Sequence, residues 1–161
     1  MNIVRIYRSP EHVYRGHKDR PAGTAPMVEA PRVRLIAGRG VEGDRYSVLP
    51  GAKGQITFFE EETWARLCRE LGRHDRQPGV FRRNVIVRGT DLNRLIGREF
   101  EVQGIRFLGV EHCRPCFWME QAFAPGALAL LDEWGAGGLR AVVLSDGWLS
   151  VSAAQEGRCS A

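Results

Sequence analysis

The chain has 161 residues, enough for one domain with a sizeable hydrophobic core. Hydrophobic residues make up 43% and charged residues 26%, the balance of an ordinary globular protein, and no apolar run approaches the roughly 20 residues of a membrane span. The net charge is +4 and arginine dominates it, since Lys18 and Lys53 are the only lysines. Arginine suits bidentate contact with phosphate or carboxylate. Without a basic run, and with the arginines dispersed among acids, nucleic acid is not an expected partner. Four cysteines are too few for a disulfide scaffold, and the first eight residues lack a signal-peptide core. A reduced, cytoplasmic location away from membranes is expected.

Asn2 to Tyr7 reads as a first strand. His12 to Pro26 is polar and rich in Gly and Pro, which predicts a loop, and loops of that length often carry function. Met27 to Ile36 resumes strand character, with Pro31 marking an edge or a bulge. Gly38, Gly40 and Gly43 then allow tight turns, but their register is wrong for a nucleotide fingerprint and no helical pattern follows. Gln55 to Phe59 is a short strand. Glu60 to Leu71 is the clearest helix, with Trp64, Leu67, Cys68 and Leu71 on one face and Gly72 as its stop. Cys68 reads as a small core residue.

Phe81 to Gly89 places Arg82, Arg83 and Asn84 ahead of a β-branched strand. Asp91 to Ile96 reads as one helical turn capped by Asp91. Glu99 to Val102 and Ile105 to Val110 predict a hairpin across Gln103 and Gly104. Phe117 to Phe123 and Gly126 to Trp134 are helical, broken at Pro125, and Gly135 to Gly138 reads as flexible. Ala141 to Leu144 and Trp148 to Val151 predict a second hairpin around Asp146 and Gly147. The tail, 152–161, is expected to be disordered. Short strands with two or three inserted helices, not alternating regularly with them, predict a mainly β chain built as a β-barrel rather than a Rossmann or thioredoxin layout.

The chemistry is expected between Glu111 and Glu120, where a strand pattern delivers Cys113 and Cys116 to the start of a helical one. Helix N–H groups and nearby arginines favour a thiolate, the form that attacks, carries sulfur or binds metal. Zinc is poorly served, because the pair and His112 fall short of four ligands. A thioredoxin-type dithiol needs a βαβ setting that the pattern does not show. The pair can also be purely structural. Arg45, Arg82 and Asn84 stand at strand ends, where a barrel mouth gathers loops, and their donors suit a phosphate or a pterin-like ligand.

Val41–Tyr46, Gln55–Phe58, Arg82–Val87, Asp91–Gly97 and Cys113–Cys116 follow the order of motifs in MOSC domains, named for the C-terminal domain of molybdenum cofactor sulfurase. The chain resembles a small standalone MOSC protein, with one domain over 1–151 and a matching core of about 27–151. The resemblance implies a MOSC-type β-barrel with a few inserted α-helices and a bound molybdenum cofactor. It places Cys116 as metal ligand and catalytic residue, with Arg45, Thr57, Arg82 and Asn84 binding the pterin phosphate. Cys113 or His112 is expected to support Cys116 or to deliver protons. Some relatives reduce N-hydroxylated compounds, so a small-molecule substrate and an electron-donor protein are expected. A sulfur carrier with a persulfide on Cys116, fed by a sulfur donor, and a non-enzymatic binding domain remain open. Pyridoxal phosphate is not expected, because no counterpart of the pyridoxal lysine is found.

Overall fold

Alternating apolar residues build a sheet whose two faces are both covered. In this computed structural model, residues 1–13, 25–49 and 51–153 are described. Most of the loop expected from His12 to Pro26, and the tail from 154 on, lie outside them. Strands β1 (Asn2–Arg8), β2 (Val28–Glu29), β5 (Ile56–Glu60), β6 (Val85–Arg88), β7 (Glu99–Val102), β8 (Ile105–His112) and β9 (Leu139–Val143) form a seven-stranded sheet in the order β2-β1-β6-β5-β9-β8-β7. Strands β3 (Arg32–Ile36), β4 (Gly40–Val41) and β10 (Gly147–Ser150) form a smaller sheet in the order β10-β3-β4.

One core lies between the sheets, where Val33, Leu35, Val41 and Leu149 meet Ile3, Ile6, Phe58 and Phe107. The other face of the large sheet is covered by helices α1 (Glu61–Glu70), α2 (Phe117–Ala122) and α3 (Ala127–Glu133), through Phe59, Trp64, Leu67, Phe81, Met119 and Phe123. Central strand β5 is therefore buried on both faces and reads as a continuous run rather than an alternating one. In β1 the register shifts between Ile3 and Arg5, so Ile3 and Ile6 reach the same core although three residues apart.

The expected helix forms as read. Trp64, Leu67 and Cys68 are buried and Leu71 packs beside them. Gly72 takes φ +60°, and the Arg73 N–H bonds the Cys68 carbonyl at 3.0 Å, the closure a left-handed glycine permits. Asp91 caps a short 3-10 turn by accepting from the Asn93 N–H at 3.1 Å. β7 and β8 pair as a hairpin whose central residues, Gln103 and Gly104, both have positive φ.

Three expectations change. The chain is mainly β, but the sheets are open and no closed barrel forms; β2 and β7 are outer strands of the large sheet, and the small sheet packs across it. β9 and β10 do not form the hairpin expected around Asp146 and Gly147: β9 pairs with β5 and β8, while β10 pairs with β3. Asp146 Oδ1 instead accepts from the Ala37 N–H at 2.7 Å, and Gly147 lies so close to Ile105 that an added Cβ would meet it at 2.6 Å. That contact steers the chain to the small sheet, as the break at Pro31 steers it from β2 to β3. Finally, β5, α1 and β6 form a βαβ unit with parallel strands, which the pattern had not shown. The cysteine pair lies outside that unit, between β8 and α2. No helix among the described residues is long and apolar enough to cross a membrane.

Candidate functional site

Strand β8 ends at His112 and hands the chain to Cys113, whose N–H bonds the Gly138 carbonyl at 2.7 Å. The turn expected to be flexible is held down here. An added Cβ on Gly137 would come within 2.0 Å of the Cys113 carbonyl oxygen and 2.7 Å of Pro115 Cδ, so only glycine lets this backbone lie against the cysteine loop. The Gly137 N–H donates to His112 Nε2 at 3.0 Å, and its carbonyl accepts from Arg83 Nε at 3.0 Å. His112 thus braces the loop from behind and is not on the cleft wall described below.

Cys116 precedes α2 as its N-cap, with an extended backbone and no side-chain capping bond. Its thiol is half-buried, whereas Cys113 is 3% and Cys68 6% exposed. All three are reduced. Burial pushes the Cys68 thiol up, with the charge of Asp75 adding to the effect against that of Arg69. Cys68 belongs to the helix core, as expected.

The basic residues are built around one carboxylate. Asp44 is 2% exposed, and it accepts from the Ser9 N–H (3.0 Å), Arg45 Nη1 (3.2 Å), Asn84 Nδ2 (3.1 Å) and the Tyr46 N–H (3.3 Å). Arg45 also donates to the Arg82 carbonyl at 2.8 Å, and its guanidinium lies 4.7 Å from the Tyr46 ring centre. Arg82 sits at φ +56°, a strained region for a residue with a side chain. Its donors reach the Ala25 and Glu11 carbonyls and Ser9 Oγ. Burial first, and the charge of Arg45 second, pull Arg82 down to about 10, with Asp44 opposing. Arg83 is 8% exposed and, among the described residues, donates to carbonyls and Met119 Sδ. Of these three buried guanidiniums, Arg45 alone pairs directly with Asp44, while Arg82 and Arg83 are held by neutral acceptors among the described residues. Uncompensated buried charge is costly, and an anion at their open side relieves the cost.

Arg45, Thr57, Arg82 and Cys116 all line one cleft of about 260 Å³. Asn84 does not. It is fully buried beneath the cleft, with Oδ1 accepting from the Thr57 N–H and Oγ1 and Nδ2 donating to Asp44 and the Tyr7 carbonyl. Thr57 reaches the cleft with its hydroxyl already committed to Asn84. The same wall carries Arg83, Arg114 and Arg140, with His12, Tyr46 and Trp118 at its edge, and among the described residues it carries no carboxylate. Arg114 was readable as the residue between the cysteines. Arg140 had no local signal: it reaches the site because β9 pairs Arg140 with Thr57 on one side and Glu111 on the other. Burial lowers its pKa, but Cys113, Tyr46 and Glu111 outweigh that and hold it above the ordinary arginine value. Cys113 is thus the thiol beside Arg140, and Cys116 is the more open one.

Such a scaffold is a mainly β protein that sets a thiol and an arginine wall around one cleft. The chain belongs to the MOSC domain family, whose model matches residues 45–155. Solved structures show the same fold. A hypothetical protein matches with TM-score 0.69 at 18% identity, over 94% of this chain and 66% of its own. YuaD from Bacillus subtilis matches with TM-score 0.63 at 17% identity, over 93% and 94%. YiiM from Geobacillus stearothermophilus matches with TM-score 0.66 at 15% identity, over 94% and 71%. A comparison with curated proteins gave no match.

Proposed function

We propose that the chain binds a molybdenum cofactor through Cys116 and reduces N-hydroxylated substrates. The observation that carries this reading is the half-buried Cys116 thiol opening on a cleft walled by five arginines. The donor chemistry fits the cofactor. Among the described residues no group of three or more His, Cys, Asp or Glu could hold a metal ion alone, so a metal here must bring most of its own ligands. A molybdopterin would bring sulfur ligands of its own, and the Cys116 thiolate is the soft protein donor that would hold its metal. Its phosphate is an anion of the kind the buried arginines call for.

In this reading Cys116 Sγ holds the metal. Arg45 and Arg82 hold the phosphate, with Thr57 contributing backbone position more than its hydroxyl. Asn84 acts one layer deeper by fixing Asp44, which in turn aims Arg45. Bound there, the cofactor would supply two-electron redox chemistry to the site. The net reaction is R–NHOH plus two electrons and two protons giving R–NH2 and water, with the electrons from an external donor. His12 lines the cleft and in this reading would pass protons, whereas His112 lies off the cleft wall and accepts from the Gly137 N–H. Arg140 beside Cys113 keeps positive charge next to the site.

The test is turnover of an N-hydroxylated purine by protein loaded with cofactor and supplied with a chemical reductant. Wild type and Cys113→Ser should turn over, and Cys116→Ser should not. Full activity in Cys116→Ser would remove this residue from the mechanism. A transferable sulfur on Cys116 without turnover would favour the sulfur-carrier reading.

A further inference from the structure

Val48 and Leu49 are 75% and 53% exposed, and of the large apolar side chains that stand in solvent among the described residues they alone are adjacent in sequence. The turn that carries them is held in one shape. The Leu49 N–H bonds the Tyr46 carbonyl at 3.1 Å, the Ala52 N–H bonds the Leu49 carbonyl at 3.2 Å, and Ser47 Oγ donates to the Asp44 carbonyl at 2.7 Å. The Gly51 N–H reaches the Gly38 carbonyl at 3.3 Å and ties this turn to the one that carries Arg39. An apolar pair fixed in water costs hydration in the free chain and little ordering when a partner covers it. The pair stands at the cleft, because Tyr46, bonded to Leu49, lines the cleft wall. Its surroundings are basic. Arg39 and Lys53 on the two turns are exposed, as is Arg114 on the cleft wall, and no ion pair joins any of the three to a described carboxylate. The carboxylates at hand are occupied: Glu42 by Arg34, Glu111 by Arg140, and Asp44 by Arg45 in the interior.

We infer that a small acidic electron-carrier protein docks on this platform, with an apolar centre on Val48 and Leu49 and its carboxylates on Arg39, Lys53 and Arg114. The inference rests on the proposed reaction for the need of electrons, and on the surface alone for the class and place of the partner. Reduction of R–NHOH to R–NH2 and water takes two electrons and two protons, so two single-electron carriers are each oxidised once per turnover and the protons come from solvent. A nicotinamide donor needs a pocket that encloses it, and an exposed turn encloses nothing. A bilayer is poorly served too. Two aliphatic side chains bury too little to hold a chain there, where even a myristoyl chain binds marginally. A transient redox complex is small by nature, and opposite charge steers and orients it.

The probe is an acidic [2Fe–2S] ferredoxin, added in its oxidised form to the full chain labelled with nitrogen-15, so that nothing is turned over. Amide shifts should gather at Arg39, Val48, Leu49 and Lys53. They should spare Trp148, an exposed aromatic side chain of the small sheet that Arg32 covers at 4.5 Å. The Val48→Asp/Leu49→Asp double variant should bind ferredoxin about tenfold more weakly or worse, since it sets like charge against the carrier, and should keep its phosphate affinity in the cleft. Trp148→Ser should change neither. Raising the salt from about 0.05 M to about 0.3 M should weaken the wild-type complex by a similar factor. No complex, shifts centred on Trp148, a double variant that binds like wild type, or affinity indifferent to salt would each overturn the inference. So would sedimentation with anionic phosphatidylglycerol vesicles that the double variant loses, which would make the platform a lipid contact. In the loaded protein, the double variant should turn over like wild type with a chemical reductant and fail with reduced ferredoxin; failure with both would also overturn the inference. If ferredoxin binds here and neither reductant drives turnover in wild type, the reaction is wrong and the docking surface stands. If the chemical reductant drives turnover and ferredoxin binds elsewhere or not at all, the reaction stands and the docking surface falls.

Discussion

Replacing Asn84 by Ala separates a scaffold residue from a ligand contact. The side chain makes four hydrogen bonds, from the Thr57 N–H (3.1 Å) and Oγ1 (2.9 Å), and to the Tyr7 carbonyl (3.3 Å) and Asp44 Oδ2 (3.1 Å). A buried hydrogen bond is worth about 1 kcal/mol, so losing the four comes to about 4 kcal/mol. That is a large part of the roughly 5–15 kcal/mol that holds a domain folded. For a chain of this size it lowers Tm by about 8–16 °C. Urea denaturation at 25 °C reads the loss, and calorimetric titration with phosphate at 10 °C reads the cleft in the folded fraction. Because Asn84 lies under the cleft and not on it, phosphate affinity should fall by less than about tenfold, or about 1.4 kcal/mol. A stability loss below about 1 kcal/mol together with abolished phosphate binding would refute the scaffold role and make Asn84 a direct contact.

Iodoacetamide should modify Cys116 well before Cys68 or Cys113, read by mass spectrometry of peptides over time, since among the described cysteines only Cys116 is appreciably exposed. Arg82, held down at about 10 in the folded chain and higher in the unfolded one, costs stability at neutral pH, and that cost fades as pH rises through about 10. Phosphate affinity needs the charged form and should move the other way, falling between pH 8 and 10.5 by more in wild type than in Arg82→Gln. Gly137→Ala forces a Cβ onto the Cys113 carbonyl and Pro115, so it should destabilise the chain by about 1–3 kcal/mol and speed alkylation of Cys113 as the loop lifts.

The local elements were legible because their signals are local. Helix α1 has its apolar face, first-turn acids and glycine stop within a dozen residues, and the Gln103–Gly104 turn has its strands on either side. The motifs around Arg45, Arg82 and Cys116 lie far apart in sequence, and the fold brings them to one cleft. What failed depends on pairing across the sheet. Asp146 and Gly147 look like a hairpin turn, but Asp146 caps Ala37 and Gly147 packs on Ile105, contacts over a hundred and over forty residues away that no window contains. Arg140 enters the site only through β9 pairing with β5 and β8. Asn84 was read as a ligand contact from its place at a strand entry and Thr57 from the family resemblance; in the structure they bond each other, with Thr57 lining the cleft and Asn84 buried beneath it. The closed barrel failed for a similar reason, since Pro31 moves the chain between sheets rather than around a ring.

Molybdenum content tests the central claim most directly. Protein made in cells that synthesise the cofactor, or reconstituted with it, would be assayed for metal by mass spectrometry and for pterin by fluorescence after oxidation. Wild type and Cys113→Ser should carry molybdenum and pterin in equal amounts, and Cys116→Ser should have lost the metal, with pterin held only weakly through the arginines. Molybdenum retained in full by Cys116→Ser, or absent from wild type after reconstitution while Cys116 remains reduced, would contradict the account.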